Sequence, residues 1–315
     1  MTVDLTVGSS TPAHDAQDGP APTPDPHTSM PLEGPFAGHL HLDGSITRVL
    51  LTDFDVAEYV RRGTGRLDVD TAKVEAEGGL EEPVRLALGA LQRLESSALA
   101  ESRAMLATVT ANEARITAFL ATWLVDRYWQ ARALRDLLTG DHPVERPTLR
   151  HRPHPLHALR RIHVDRIQPL ISPLWNEFAG EAVAAGHMAR MAIQEASLQA
   201  ALHAVARRLS GEALRVVETV IERHDAAVEF FTAEASGRII RSPREAAVAR
   251  LVLSLDSPLD GGGIIDPDLK PALQVIGAES RDRAALRRAR YEITRLLPAP
   301  DLPDPYLSSL PRTGE

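Results

Sequence analysis

The chain has 315 residues, of which 43% are apolar and 4% aromatic, with a formal net charge of −8. This composition supports one large or two modest helical domains, disfavours all-β classes and opposes general nucleic-acid binding. The absence of cysteine excludes disulfides, thiolate metal sites, cysteine nucleophiles and iron–sulfur ligation by this chain.

The first part of the chain is predicted to be disordered and then mixed in structure. Residues 1–35 are rich in Pro, Ala, Thr, Asp and Gly without periodic apolar positions, so burial cannot offset the entropy of ordering them. Residues 36–81 form a short mixed segment, in which residues 46–51 fit either a strand or a helix and residues 53–62 fit a short helix. With no N-terminal export signal and no run of about 18 apolar residues, we expect a cytoplasmic protein without a membrane span.

Four long helices are predicted between residues 82 and 298, because apolar residues recur there on one helical face. They span about residues 82–109, 112–138, 174–209 and 211–239. Ser210 is the expected N-cap of the fourth helix. Gly140 and two prolines interrupt the pattern after the second helix, so residues 140–173 are predicted to be a long crossover.

Two shorter helices are predicted to follow. Ser242-Pro243-Arg244-Glu245 combines an N-cap, a first-turn proline and a capping-box glutamate, and a last helix spans residues 280–297. A glycine-rich loop at residues 256–268 separates them, and residues 299–315 form a Pro-rich tail. The pattern therefore predicts an all-α fold, a four-helix bundle with additional C-terminal helices.

Polar side chains interrupt the apolar stripes of three of the long helices. Arg127 and Gln130 face inward on the second helix, Glu195 on the third and His224 on the fourth. A charge that faces a core is costly unless it is paired or bound to a metal. These four residues are therefore the candidate functional site.

Two stretches carry a resemblance to a known family. Residues 119–134 and 187–195 resemble corresponding helices of the acyl-carrier-protein desaturase-type branch of the ferritin-like superfamily, and the resemblance covers about residues 85–240. It implies a ferritin-like four-helix bundle at residues 82–298. In that family two metals are held by a Glu on each of two helices and a Glu-x-x-His on each of the other two. The i, i+3 spacing places both side chains on one face.

Matched residue by residue, the resemblance implies a degenerate dimetal site. Glu195 keeps the lone Glu of one helix, and Glu95 or Glu101 is the lone Glu of the first helix. The first Glu-x-x-His position holds Arg127-Tyr128-Trp129-Gln130. Its guanidinium repels a cation, and its amide is a weak donor.

The second Glu-x-x-His position is also altered. Matched to Ile221-Glu222-Arg223-His224, it keeps the imidazole and loses the carboxylate. A match shifted to place Ala227 in the His position is as damaging. Acidic residues elsewhere on this helix lie away from the apolar stripe and are predicted to face solvent: Glu218, Glu222, Asp225 and Glu229.

We predict that Arg127 reaches Glu195 across the bundle, so that a guanidinium supplies the positive charge that a metal would bring. The alternatives are that Arg127 extends to the helix edge, that Glu195 joins a local hydrogen-bond network and that His224 is an ordinary core histidine.

A basic stretch at residues 146–166 contrasts with the acidic chain and includes Arg150, Arg152, Arg160 and Arg161. The resemblance implies that it docks an acyl carrier protein, and a nucleotide phosphate would also suit it. The alternative is an Arg-rich crossover with proline-set turns.

Three functional hypotheses follow. The first is a metal-free, cofactor-free structural or regulatory subunit that forms a homodimer, or a heterodimer with an intact ferritin-like relative. The second is a diverged iron- or manganese-dependent oxidoreductase, a desaturase or oxygenase, that acts on an acyl or small-molecule substrate through Glu195, His224 and one of Glu95 and Glu101. The third is a module that binds an apolar ligand between its helices.

Overall fold

The computed structural model describes residues 50–140, 180–255, 259, 269–299, 301–302, 304, 307 and 310. Regular secondary structure within these ranges is entirely helical, which confirms the predicted all-α class. Among the helices so described, none combines the length and apolar composition needed to cross a bilayer. The predicted disordered lead, most of the predicted crossover and glycine-rich loop, and Arg150, Arg152, Arg160 and Arg161 lie outside the described residues.

The helices are, in chain order, α1 (Val56–Arg61), α2 (Thr71–Ala76), α3 (Glu82–Ser96), α4 (Ala98–Leu106), α5 (Ala114–Thr139), α6 (Val183–Ala206), α7 (Gly211–Arg241), α8 (Pro243–Leu255), α9 (Leu269–Ile276) and α10 (Ser280–Thr294). The predicted short helix near residue 53 is α1, which begins after Asp55 because the Asp55 side chain accepts a hydrogen bond from Glu58 N at 2.8 Å. Helices α2 and α9 were not predicted. Helix α2 is only six residues long, with Val74 as its buried residue. Helix α9 does have apolar residues at the helical i, i+3, i+4, i+7 spacing, but over only eight residues, and this signal was missed.

The prediction of one continuous helix over residues 82–109 is wrong. The helix ends at Ser96, resumes as α4 and is followed by a 3-10 turn at Val109–Asn112. The Ser97 hydroxyl donates to the carbonyl oxygen of Leu94 at 2.7 Å, and Ser97 N donates to the same oxygen at 3.1 Å. These bonds take the place of the regular i, i+4 bond to Leu94 and tighten the turn, which ends α3.

Helices α3, α5, α6 and α7 pack as neighbours. Helix α3 lies against α5 and α6, α5 lies against α7, and α6 lies against α7. Helices α3 and α5 are antiparallel, because Arg85 Nη1 donates to Leu138 O at 2.8 Å while Gln92 Nε2 donates to Ala131 O at 3.4 Å. As the residue number rises on α3, that of its contact falls on α5.

Helix α6 is buried around almost its whole circumference. Besides α3 and α7, it contacts α8 and α10, which cover the face that a helix of a simple bundle would expose to solvent. Gly186 on α6 allows the approach of α8, since a Cβ there would lie 2.6 Å from Val252 Cγ2. The predicted additional C-terminal helices therefore serve to enclose α6.

Part of the predicted Pro-rich tail packs against α10. Arg290, which is buried, donates from Nε to Leu302 O at 2.9 Å and forms an ion pair with Asp304 at 3.1 Å. Leu307 and Leu310 are buried in the apolar core. These described residues of the tail belong to the folded domain.

Residues 50–79, here called the strap, run along helices α5 and α7. Near its start, Thr52 Oγ1 donates to Glu234 Oε1 at 3.1 Å. In the middle, the Tyr59 hydroxyl donates to Asp126 Oδ2 at 2.8 Å, and Thr64 Oγ1 donates to Asp126 Oδ1 at 2.8 Å. The described part of the predicted mixed segment is therefore a cover over the α5–α7 face, a role that its sequence pattern did not indicate.

The end of the strap caps the N-terminus of α7. Glu77 Oε2 accepts a hydrogen bond from Glu212 N at 2.8 Å, so a carboxylate lies where the helix dipole favours negative charge. Gly211, the first residue of α7, has φ +58° and lies directly against Glu77. A side chain at this position requires the left-handed region and also overlaps the Glu77 carboxylate.

We therefore expect Gly211→Ala to lower the free energy of unfolding by about 2 kcal/mol, from backbone strain and loss of the cap. Urea denaturation monitored by circular dichroism measures this change. Gly89→Ala is the matched control, because Gly89 lies inside α3 with ordinary φ and a Cβ would meet only Arg93 Nη1 at 3.4 Å. The control is expected to raise stability by up to about 1 kcal/mol; equal losses in both variants would contradict the cap.

Candidate functional site

Four buried side chains meet on the axis of the bundle, one from each of four helices. Glu95 belongs to α3, Arg127 to α5, Glu195 to α6 and His224 to α7, and none is more than 1% exposed. We call them the buried quartet. The apolar core is divided at their level: one cluster of buried residues includes Leu94 and its neighbours, and the other includes Trp123 and the phenylalanines.

His224 connects the two carboxylates of the quartet. Its Nδ1 lies 2.8 Å from Glu195 Oε2, and its Nε2 lies 2.6 Å from Glu95 Oε1. A protonated imidazole donates from both ring nitrogens, so both contacts are charge-assisted hydrogen bonds. The ring therefore lies between the carboxylates.

Arg127 provides the second positive charge. Its Nη1 is 2.8 Å from Glu95 Oε2 and 3.6 Å from Glu195 Oε2, and the contact with Glu95 is a charge pair rather than a directed hydrogen bond. Its Nη2 donates to Leu94 O at 2.9 Å, the carbonyl at the break between α3 and α4. The break between α3 and α4 thus provides a carbonyl oxygen that accepts a hydrogen bond from the guanidinium.

Trp123 completes the surroundings of the quartet one turn before Arg127 on α5. Its indole Nε1 donates to Glu195 Oε1 at 3.2 Å, and Arg127 Cζ lies 5.7 Å from its ring centroid. One turn after Arg127, Gln130 is buried as predicted, and its Oε1 has no hydrogen-bond partner within the described part of the chain. Gln130 therefore belongs to the same polar layer without joining the quartet.

The electrostatics of the quartet favour a charge-balanced cluster. Burial lowers the pKa of His224, but the charge of Glu95 and the hydrogen bonds that the ring donates to both carboxylates outweigh it and raise this pKa to about 9. Burial raises the pKa of Glu195, but Arg127 and His224 outweigh it and hold this pKa below its usual value. At neutral pH two positive side chains therefore face two carboxylates.

The quartet does not fit the dimetal centre that the resemblance implies. His224 uses both ring nitrogens to bind carboxylates, which leaves no lone pair for a cation, and Arg127 faces the carboxylate oxygens that would hold one. In the described ranges, no group of three or more His, Asp or Glu side chains is arranged to hold a metal ion.

The structure shows which of the predicted site residues contact one another. Arg127 does contact Glu195, as predicted, but its nearer carboxylate is that of Glu95. Glu101 is not the partner on the first helix: it lies on α4 beyond the break and pairs with Arg190. The predicted exposure of the α7 acidic series is confirmed for Glu218, Glu222, Asp225 and Glu229.

Sequence reasoning missed the residues that close the site. Tyr59 stacks on Phe119 at 4.7 Å between centroids and lies near enough to Glu195 that, after burial and the charge of Asp126, this carboxylate helps to raise the pKa of Tyr59. Asp126, next to Arg127 on α5, is buried and holds both Tyr59 and Thr64. The position of Asp126 beside the apolar stripe of α5 is the sequence feature that could have indicated its burial.

A second buried ion network at the far end of α7 was also missed. Arg238 pairs with Glu113 at 2.6 Å and with Glu234 at 3.1 Å, and Arg115 pairs with Glu234 at 3.2 Å. The i, i+4 spacing of Glu234 and Arg238 is a sequence signal that could have indicated this pair. This network joins α5, α7 and the start of the strap.

The fold and the site define a helical bundle with an internal ion cluster. Comparison with known proteins found no matching family model, no matching curated protein and no matching solved structure.

Proposed function

We propose that this protein is a ferritin-like bundle in which an ion cluster takes the place of two metals, and that it acts as a non-catalytic structural or regulatory subunit. The arrangement of the helices supports the first part. Helices α3, α5, α7 and α6 contact one another in a closed order, with one polar residue of each on the axis, as in bundles that hold metals between their helices.

The main support for the proposal is that the carboxylates that would bind a metal already contact positively charged side chains of the chain itself. Both carboxylates of the quartet contact Arg127 and His224, so the negative charge that would attract a divalent ion is already neutralised. A metal that enters has to displace a guanidinium and break two hydrogen bonds to His224. Binding of iron or manganese is therefore disfavoured at this layer.

Metal analysis of the purified full-length chain tests this proposal. Protein from cells grown with added iron and manganese is expected to carry well below one metal ion per chain. After anaerobic addition of Fe(II) and exposure to oxygen, we expect no new absorption band. A content near two irons per chain, with an oxygen-dependent spectrum, would show that the protein is a metalloenzyme.

The Arg127→Glu variant tests whether Arg127 prevents metal binding, because it replaces the cation by a carboxylate beside Glu95 and Glu195. This variant is expected to bind Co(II) or Zn(II) more tightly than the native protein, since three carboxylates then need a cation. Arg132→Glu is the matched control: it lies on the same helix, is partly exposed and pairs with Asp136 at 3.7 Å. Equal metal binding by both variants would contradict the role assigned to Arg127.

A further inference from the structure

The strap is anchored to α5 by the residue that directly precedes Arg127 of the quartet. Asp126 accepts hydrogen bonds from the hydroxyls of Tyr59 and Thr64, each at 2.8 Å. Adjacent residues of a helix point about 100° apart, so Asp126 can face the strap while Arg127 faces the axis of the bundle. The strap therefore passes α5 at the level of the quartet.

The anchor on α7 has the same relation to the quartet. Arg223 directly precedes His224 and donates from Nη1 to Gly65 O at 2.9 Å. Gly65 follows Thr64, whose hydroxyl binds Asp126 on α5. Two consecutive strap residues thus connect α5 to α7 directly outside the quartet.

Tyr59 extends this cover along α5. Its ring stacks on Phe119 at 4.7 Å between centroids, and its hydroxyl reaches Asp126, about two helical turns further on. Trp123 lies between these two residues on the same helical face, because the three follow i, i+4, i+7 spacing. Tyr59 therefore lies over the indole that donates to Glu195 of the quartet.

The strap ends at a pair of glycines that are suited to act as a hinge. Gly78 and Gly79 link it to α3 with φ of +99° and +70°, and a Cβ at either position would meet nothing within 4 Å. Glycine adopts such conformations without steric cost. Helices α1 and α2 of the strap have six residues each and depend on the bundle for stability. The strap can therefore open at a lower free energy than the core.

We propose that the strap is a hinged gate that controls the access of water to the buried quartet. In the closed state it covers Trp123 and keeps the four charged side chains dry, which strengthens their attraction. When it swings out about its glycine pair, Asp126 and Arg223 lose their strap partners and water reaches Trp123 and Glu195. Opening thus weakens the ion cluster that joins the four helices.

Native-state hydrogen exchange of the full-length chain, measured by NMR, tests the gate. The indole N–H of Trp123 is expected to exchange roughly 100-fold faster than the slowest backbone amides of α6. Its rate is expected to depend little on added urea, because strap opening exposes far less surface than global unfolding. Exchange of the indole and the α6 amides at one rate, with one urea dependence, would overturn the proposal. The measurement involves no metal, so its outcome is independent of the proposed function.

A disulfide between the strap and α5 locks the gate. The chain has no cysteine, so Gly63→Cys/Thr122→Cys introduces a single possible pair. Gly63 has an ordinary φ, and a Cβ there would lie 3.9 Å from Thr122 Cγ2, which is compatible with a disulfide. In the oxidised variant the Trp123 indole is expected to exchange as slowly as the α6 amides. The reduced form of the same variant is the matched control, and an unchanged gap between the two rates after oxidation would contradict the gate.

Tyr59→Phe removes one bond of the closed state and keeps the ring on Phe119. The Trp123 indole is expected to exchange about tenfold faster in this variant, because a hydrogen bond to a carboxylate is lost. Tyr128→Phe is the matched control, since Tyr128 also lies at α5 but is 57% exposed. Equal rates in the two variants, with native circular dichroism, would show that the contact between Tyr59 and Asp126 does not hold the gate closed.

Discussion

Replacing Arg127 by leucine is expected to lower the free energy of unfolding by about 3–5 kcal/mol. The change removes the guanidinium from two carboxylates that are fully buried, and His224 alone then has to balance Glu95 and Glu195. Removing one partner of a buried ion cluster leaves uncompensated charge, and this costs far more than loss of an exposed pair. Leu94 O also loses the hydrogen bond from Nη2. Urea unfolding followed by far-UV circular dichroism measures the loss.

Arg132→Leu is the matched control for this change. Arg132 lies on the same helix, its side chain is 37% exposed, and its contact is the i, i+4 pair with Asp136. We expect a change within about 0.5 kcal/mol for this exposed pair. Similar losses for Arg127→Leu and Arg132→Leu would mean that the quartet carries no special energetic role. Lower stability of Arg127→Leu at pH 7 together with recovery in acid would identify the unbalanced carboxylates as the cause.

The stability of the native protein is expected to fall by about 3 kcal/mol as the pH rises from 6.5 to above 9 because of His224. Its folded pKa, about 9, lies above the ordinary value of 6.5 for an unfolded chain, and a tenfold difference in proton affinity between the two states corresponds to about 1.4 kcal/mol. The contribution is complete below pH 6.5, where both states bind the proton. It declines as the pH rises and is lost above the folded pKa, where the quartet keeps two carboxylates and one cation.

His224→Gln tests the assignment, because glutamine has no proton to lose in this range. The variant is expected to be less stable at pH 6.5 and to show a flatter dependence of unfolding free energy between pH 6.5 and 9.5. His203→Gln is the matched control, since His203 is exposed on α6. NMR titration of the His224 ring gives its pKa directly, and a value near 6.5 would contradict the charge-balanced quartet.

At low pH, the stability of the protein is expected to depend on Glu195. Because Arg127 and His224 hold its pKa below the usual value against the effect of burial, its contribution is present above pH 4.5 and is lost as the pH falls through the lower folded pKa. The quartet is therefore expected to be most stable between the two titrations, from weakly acidic to neutral pH.

The all-α class and the approximate bounds of α5, α7, α8 and α10 could be predicted from sequence periodicity, as could the inward direction of four polar residues: Arg127, Gln130, Glu195 and His224. A period of 3.6 residues fixes the angular position of each side chain around its own helix, and so the composition of each apolar stripe reveals which polar groups face the core. The same period correctly predicts that the acidic series of α7 faces solvent.

Which buried charges meet depends on how the helices pack against one another. Periodicity gives an angle around one helix but neither the axial offset between two helices nor the distance across the bundle, so it could not choose between Glu95 and Glu101. The break at Ser97 settles that choice, because it separates the two glutamates into different helices and turns Leu94 O toward Arg127. The strap could not be predicted either, because its contacts with Asp126 and Glu212 are polar bonds at long sequence separation, which leave no periodic pattern in the sequence.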